Sequence, residues 1–202
     1  MDKGIYDSEE EAMFNEWVKE AQAHGLVSDV VYQPLPYLLT EAVKIDVEIQ
    51  LKTKIKKAQR ALFAKHVYTP DFNVKLTEVG LRLFKGVFAK TYLSEPLNPL
   101  FCDHDIVAID IKGGFANHDG GRSFSINQKL VWEKYHVYIE RVVPWQAKGN
   151  CLFKSTFVPE SLRWLSNRKV ATLNTKGIAC NTIWEFLAFS EEKENKKQME
   201  MI

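Results

Sequence analysis

The sequence predicts an α/β fold, a mixed central sheet with helices on its faces, and three observations predict it. Residues 8–24 carry helical apolar spacing, with Phe14, Trp17, Val18 and Ala21 at i, i+3, i+4 and i+7 and Gly25 as a stop. Residues 106–112 are apolar on both faces until their end, the pattern of a strand at a sheet centre. Around these two, shorter strand-like runs are interspersed with helical ones, an order that places helices against a sheet.

Taken in order, the first helix leads to a strand over 30–39, which Pro34 and Pro36 keep at an edge or a bend. Alternation over 43–49 (Val-Lys-Ile-Asp-Val-Glu-Ile) predicts another strand, and the lysine run after it is compatible with turn, strand or helix. Residues 68–76 and 81–87 are strand candidates, and 94–99 is an irregular, proline-containing segment. After the buried strand come a Gly-rich loop over 113–121, a helix over 126–135 and a strand over 137–143 stopped by Pro144. A short helix near Pro159, an amphipathic piece over 183–189 and a charged, frayed tail from about residue 190 follow. The expected division is a core over 1–144 with an extension over 145–202 packed on it.

At 202 residues, 46% hydrophobic and 12% aromatic, the chain can bury one substantial core. Its start is too acidic and polar for a secretory signal. No apolar run approaches the roughly 20 residues of a membrane span, so a cytoplasmic protein with no membrane partner is the expectation. Cys102, Cys151 and Cys180 are widely spaced, form no CxxC pair, and read as reduced, mostly buried thiols. The net charge of +1 is not the global basic signature of a nucleic-acid binder. The distribution says more: residues 7–20 are acidic, whereas 52–60 (Lys-Thr-Lys-Ile-Lys-Lys-Ala-Gln-Arg) are basic. Each run alone reads as a solvated face; together they suit a protein that holds a cation with carboxylates and phosphate with cations.

Asp110 and Lys112 sit one residue apart on the buried strand, so both leave the same face where the strand runs out of the core. An ion pair at a strand end is the ordinary meaning of that spacing, since an unpaired charge behind Ile106 and Ala108 would be costly to bury. Asp71, in Tyr68-Thr-Pro-Asp-Phe-Asn, ordinarily marks a turn or strand start. The three gain meaning together. Two carboxylates from neighbouring strands can converge on a hard cation such as Mg²⁺, which polarises a phosphodiester and activates water. A lysine beside them can orient that water or steady charge on the phosphate. Arg122 and Ser123, expected on the Gly-rich loop, suit contacts to backbone phosphate or plain solvent exposure.

Asp7-Ser8-Glu9-Glu10-Glu11-Ala12 opening a helix, then Tyr68-Thr69-Pro70-Asp71-Phe72, then Asp110-Ile111-Lys112-Gly113, resembles the PD-(D/E)xK nuclease superfamily. Within it, the pattern is similar to phage-encoded Holliday-junction resolvase-like endonucleases, over roughly residues 6–143. The resemblance implies a restriction-endonuclease-like core of helix, three strands, helix and strand. It implies a Mg²⁺- or Mn²⁺-dependent endodeoxyribonuclease in which Asp71 and Asp110 hold the metal with Glu11 and the Ile111 carbonyl, and Lys112 is the catalytic lysine. Glu11 also closes a capping box with Ser8, a purely local role. Lys129, with Gln128 beside it, falls where such nucleases place a polar residue facing the site. Branched DNA, a homodimer making two cuts and, for a phage protein, the host cytoplasm follow by the same analogy. Two rivals remain: a catalytically inactive DNA-binding or structural phage protein of the same fold, and a metal hydrolase acting on nucleotides or RNA.

Other features read as ordinary. Asp103-His104-Asp105 precedes the buried strand at the end opposite Asp110 and suits a polar turn. Gly113-Gly-Phe and Gly120-Gly-Arg lack the Gly-Lys-Ser/Thr ending of a phosphate loop. His66, His118 and His136 have no triad-like context, and Trp132, Tyr135 and Tyr138 are expected in the core.

Overall fold

The computed structural model describes residues 4–84, 87, 106–113, 118–146, 149–163 and 180–200. Ser8 caps the first helix, α1 (Glu9–Ala23): its hydroxyl accepts from the Glu11 amide at 3.1 Å, and glutamates in the first turn meet the positive helix end. Gly25, at φ 70°, makes the left-handed exit. Then come β1 (Val27–Tyr32), β2 (Tyr37–Thr40), β3 (Val43–Gln50), β4 (Ile55–Phe63), β5 (His66–Tyr68), β6 (Phe72–Leu76) and α2 (Glu78–Leu83). β7 (Ile106–Ile111), α3 (His118–Tyr135) and β8 (Ile139–Val142) complete the centre, followed by α4 (Leu152–Ser155), α5 (Glu160–Arg163) and α6 (Ile183–Glu200).

The central sheet runs β1-β6-β7-β8, antiparallel at β1/β6 and β6/β7 and parallel at β7/β8. A parallel pair needs a crossover, and α3 supplies it. Strand alternation then assigns the faces. Phe72, Val74, Val107 and Ile109 share a core with Phe14, Trp17 and Val18 of α1. Ala108 turns to the opposite face with Phe124 and Val131 of α3 and with Leu39 and Tyr68 of the small β2–β5 ladder. Helices therefore cover both faces of a mixed sheet. Among the described residues no helix is long and apolar enough to cross a membrane.

Residues beyond Pro144 close the first core from behind α1, contributing Phe153, Phe157, Leu162, Ile183 and Phe186. The buried Trp17 indole donates to Thr156 Oγ1 at 3.0 Å, and the Glu160 amide and Ser161 hydroxyl donate to Glu20 and Glu16 at 2.6 and 2.7 Å. Cys151 and Cys180 are free and buried, while Cys102 lies outside the described residues.

Four sequence expectations need correction. The strand expected over 30–39 is two, split at Gln33 (φ 46°) and the prolines after it. Where a strand is expected over 81–87, residues 81–83 instead close α2, because Thr77 Oγ1 caps the Gly80 amide at 3.1 Å and starts a helix before the apolar alternation begins; residues 85 and 86 lie outside the described residues. The loop expected over 113–121 is already helical from His118. The tail expected to fray from about residue 190 continues α6 to Glu200, in keeping with a run of strong helix formers without Gly or Pro. The lysine run resolves as the turn at 52–54 followed by strand β4. The irregular segment 94–99 and Asp103-His104-Asp105 lie outside the described residues.

Candidate active site

The antiparallel register Phe72↔Ile109 brings the start of β6 beside the end of β7, so one step further Asp71 stands level with Asp110. Asp71 Oδ2 accepts from the Ile111 amide at 2.6 Å, fastening the turn before β6 to the end of β7. Asp110 follows Ala108 on its face and is 4% exposed. The Tyr68 hydroxyl donates to its Oδ1 at 2.8 Å, and the Lys112 ammonium pairs with its Oδ2. The Lys112 side chain is 28% exposed, so one end of this pair is buried and the other open to an incoming anion.

Glu11 enters from α1. The Ser8 hydroxyl donates to its Oε1 at 2.8 Å, while the Tyr32 hydroxyl and the Asp7 amide donate to Oε2 at 2.9 and 3.2 Å. The local capping interaction thus forms, and the same buried carboxylate lies within electrostatic reach of Asp71. A side chain at Gly113 would begin 3.2 Å from Glu10 Oε1, so the first turn of α1 abuts the residue after Lys112.

The electrostatics follow from crowding. Burial first, then the charges of Asp110 and Glu11, push the Asp71 carboxyl up to about 7 against the opposing pull of the Ile111 amide and Lys112. Burial and Asp110 raise the Tyr68 hydroxyl far above its ordinary value, which keeps it a donor. Tyr32 is pushed up to about 12 by burial and its bond to Glu11. Glu11, Asp71 and Asp110 face one ammonium from Lys112, an excess of hard oxygen donors over positive charge. That excess suits a divalent cation such as Mg²⁺. The atoms that fit it are the carboxylate oxygens of Asp71 and Asp110, because Glu11 is turned toward its three donors. Among the described residues no three acidic, histidine or cysteine side chains form a ready-made cage.

Compared with protein-family models, curated proteins and solved structures, the chain matches none. Its site is therefore read from its own geometry.

Glu11, Asp71, Asp110, Ile111 and Lys112 are the sequence-predicted residues that the fold brings together. The others all lie on α3. Arg122 and Ser123 are exposed on α3 rather than on a loop. Gln128 Nε2 donates to the Ile139 carbonyl at 2.6 Å, which anchors the start of β8. Gln128 and Lys129 border an open groove of about 330 Å³ with Trp132 and Tyr138, and no acid of the cluster lines it. Trp132 and Tyr138, expected in the core, are only half-buried there. Tyr135 packs on the second core, its hydroxyl donating to the Leu38 carbonyl at 2.9 Å.

Two contributors carry no assigned role in the sequence. Tyr68 lies inside the Tyr-x-x-Asp-Phe motif, and its place before a Pro-Asp turn is the available signal. Tyr32 has none, since it meets Glu11 across 21 positions of chain.

Proposed function

We propose that the chain is a metal-dependent endodeoxyribonuclease of the PD-(D/E)xK type, hydrolysing phosphodiester bonds and selective for branched DNA. The observation that carries this reading is the meeting of Asp71, Asp110 and Lys112, with Glu11 in reach, at one end of the central sheet. The path α1, β1, β6, β7, α3, β8 supports it as well, since helix, three strands, helix and strand is the restriction-endonuclease-like order. Selectivity for junctions, and the two-fold dimer that paired cuts require, rest on the sequence resemblance.

In this reading Asp71 and Asp110, with the Ile111 carbonyl, hold Mg²⁺ or Mn²⁺. Such an ion, when bound, offsets charge on the scissile phosphate and acidifies a water. The chain's own groups do the rest. The Ile111 amide and the Tyr68 hydroxyl each hold one carboxylate in place. Lys112 Nζ, half of an ion pair in the free protein, offers its charge to a phosphate oxygen and keeps the attacking water oriented. Arg122 and Ser123, exposed on α3, would contact neighbouring phosphates.

The test is cleavage of a labelled four-way junction beside matched duplex and single strand, with Mg²⁺ and with EDTA, and with Lys112→Ala in parallel. Metal- and Lys112-dependent cutting of the junction alone is the expected result. Cutting of every DNA would make it a general endonuclease. Absence of cutting, with DNA still bound, would leave a catalytically inactive DNA-binding protein of the same fold, and RNA or nucleotide hydrolysis alone a different metal hydrolase.

A further inference from the structure

Residues 41–65 hold seven basic and three acidic side chains, while the whole chain carries a formal +1, so the rest of the molecule is net negative. That positive charge is concentrated on the ribbon formed by β3 and β4. The two strands pair along their length, the turn at 51–54 is exposed, and every strand residue is exposed except the half-buried Val47 and Ala58. A free two-stranded ribbon is marginally stable in water, so a surface of this size gains order from what it binds.

The register sorts the ribbon's charges by face. Asp46 and Glu48 share a side with Lys44 and Lys57, and there Glu48 meets Lys57 at 4.0 Å, the ribbon's one ion pair among the described residues. Lys56 and Arg60 point to the opposite side, which holds no acid and carries the exposed Ile45 and Ile49 around the half-buried Val47. Lys52 and Lys54 add charge at the tip. Lysines placed only to blunt an exposed edge have no need of such sorting, whereas a polyanion lying along one face does.

The ribbon also starts at the candidate site. It grows from the β2–β5 ladder, whose last residue, Tyr68, bonds Asp110. From Thr40 to the tip is about ten residues, or roughly 33 Å at strand rise, close to ten base pairs of duplex. A two-stranded ribbon is also a shape that the major groove admits.

Resting on the nuclease reading, we propose that the Lys56–Arg60 face of this ribbon, with Lys52 and Lys54 at its tip, grips the phosphate backbone of the DNA whose cleavage site lies at Asp71, Asp110 and Lys112. The contacts are to phosphate, so they hold any sequence.

The test measures affinity for a labelled duplex in Ca²⁺, which takes oxygen ligands in a looser geometry than Mg²⁺, across a salt series. Wild type is set beside Lys52→Gln/Lys54→Gln/Lys56→Gln/Arg60→Gln and beside Lys44→Gln/Lys57→Gln on the other face. Loss of four phosphate contacts lowers the slope of log K against log salt by about 3.6, and the other-face variant keeps the wild-type slope. A quadruple variant with the wild-type slope, in a protein that still cuts DNA, overturns the ribbon proposal and spares the nuclease reading. Wild type that neither binds nor cuts any DNA overturns both. A wild-type slope in the quadruple variant, joined to a halved mass in Ile45→Ser/Ile49→Ser, would assign the face to a second copy of the chain instead.

Discussion

Asp71→Asn is expected to stabilise the metal-free fold at neutral pH and to flatten its response to pH. The Asp71 carboxyl is raised from an ordinary 3.8 to about 7 in the folded protein. The unfolded chain therefore gives up this proton first, and between pH about 4 and 7 folding stability falls as pH rises. The penalty is absent below the unfolded value and complete above the folded one. A shift of about three units corresponds to about 4 kcal/mol, and because Asp71 stays partly open to water, about 2 kcal/mol is the working figure. Asparagine carries no charge and keeps an oxygen to accept from the Ile111 amide. The assay is denaturant unfolding in EDTA at pH 5 and pH 8, comparing wild type with the variant so that titrations common to both cancel. Wild type should lose about 1.3 kcal/mol more than Asp71→Asn over that interval, since pH 5 already lies inside the titration window. Superimposable pH profiles would refute the reasoning. Saturating Mg²⁺ at pH 8 should then restore wild type, by about 2.7 kcal/mol at a hundredfold excess over Kd, and leave the variant unchanged.

Further outcomes are expected from the same geometry. Asp110→Asn should abolish cleavage while leaving the fold and DNA affinity close to wild type; retained turnover would dissolve the site assignment. Tyr68→Phe removes the donor to a buried carboxylate oxygen. It should cost about 1–3 kcal/mol and weaken Mg²⁺ binding about 10- to 100-fold, both measurable by calorimetry without any cleavage assay. Gly80→Ala should destabilise by about 1–3 kcal/mol, because the new methyl would start 1.9 Å from the Leu26 carbonyl oxygen, a backbone atom that cannot swing aside. An unchanged melting temperature there would show that α2 shifts freely.

Elements with one dominant signal were readable from the residues. α1 combined a cap, an apolar stripe and a glycine stop, and β7 was apolar on both faces. Misreadings arose where a local cap outweighed apolar periodicity, as Thr77 does at α2, and where glycines suggested a loop although helix α3 had begun. For the site, same-face spacing placed Asp110 with Lys112, and the motif added Asp71. What sequence spacing could not show is how separate elements pack. The hydrogen bonds Tyr68 to Asp110 and Tyr32 to Glu11 join positions 42 and 21 residues apart, one from the β2–β5 ladder to the central sheet and one from β1 to α1, and only the packing of those elements brings them together.

The packing of Phe153, Phe157, Leu162, Ile183 and Phe186 into the core of α1 has a consequence for synthesis. Phe14 and Trp17 meet Phe72 and Phe84 first, whereas Phe157, stacked on Trp17, and Phe186, packed on Phe157, follow much later in translation. Until those arrive, the part of the first core that they fill stays open to water. A chain cut after Pro144 leaves that aromatic surface exposed and prone to aggregate. Side chains beyond Pro144 are thus part of the first core rather than an appendage to it.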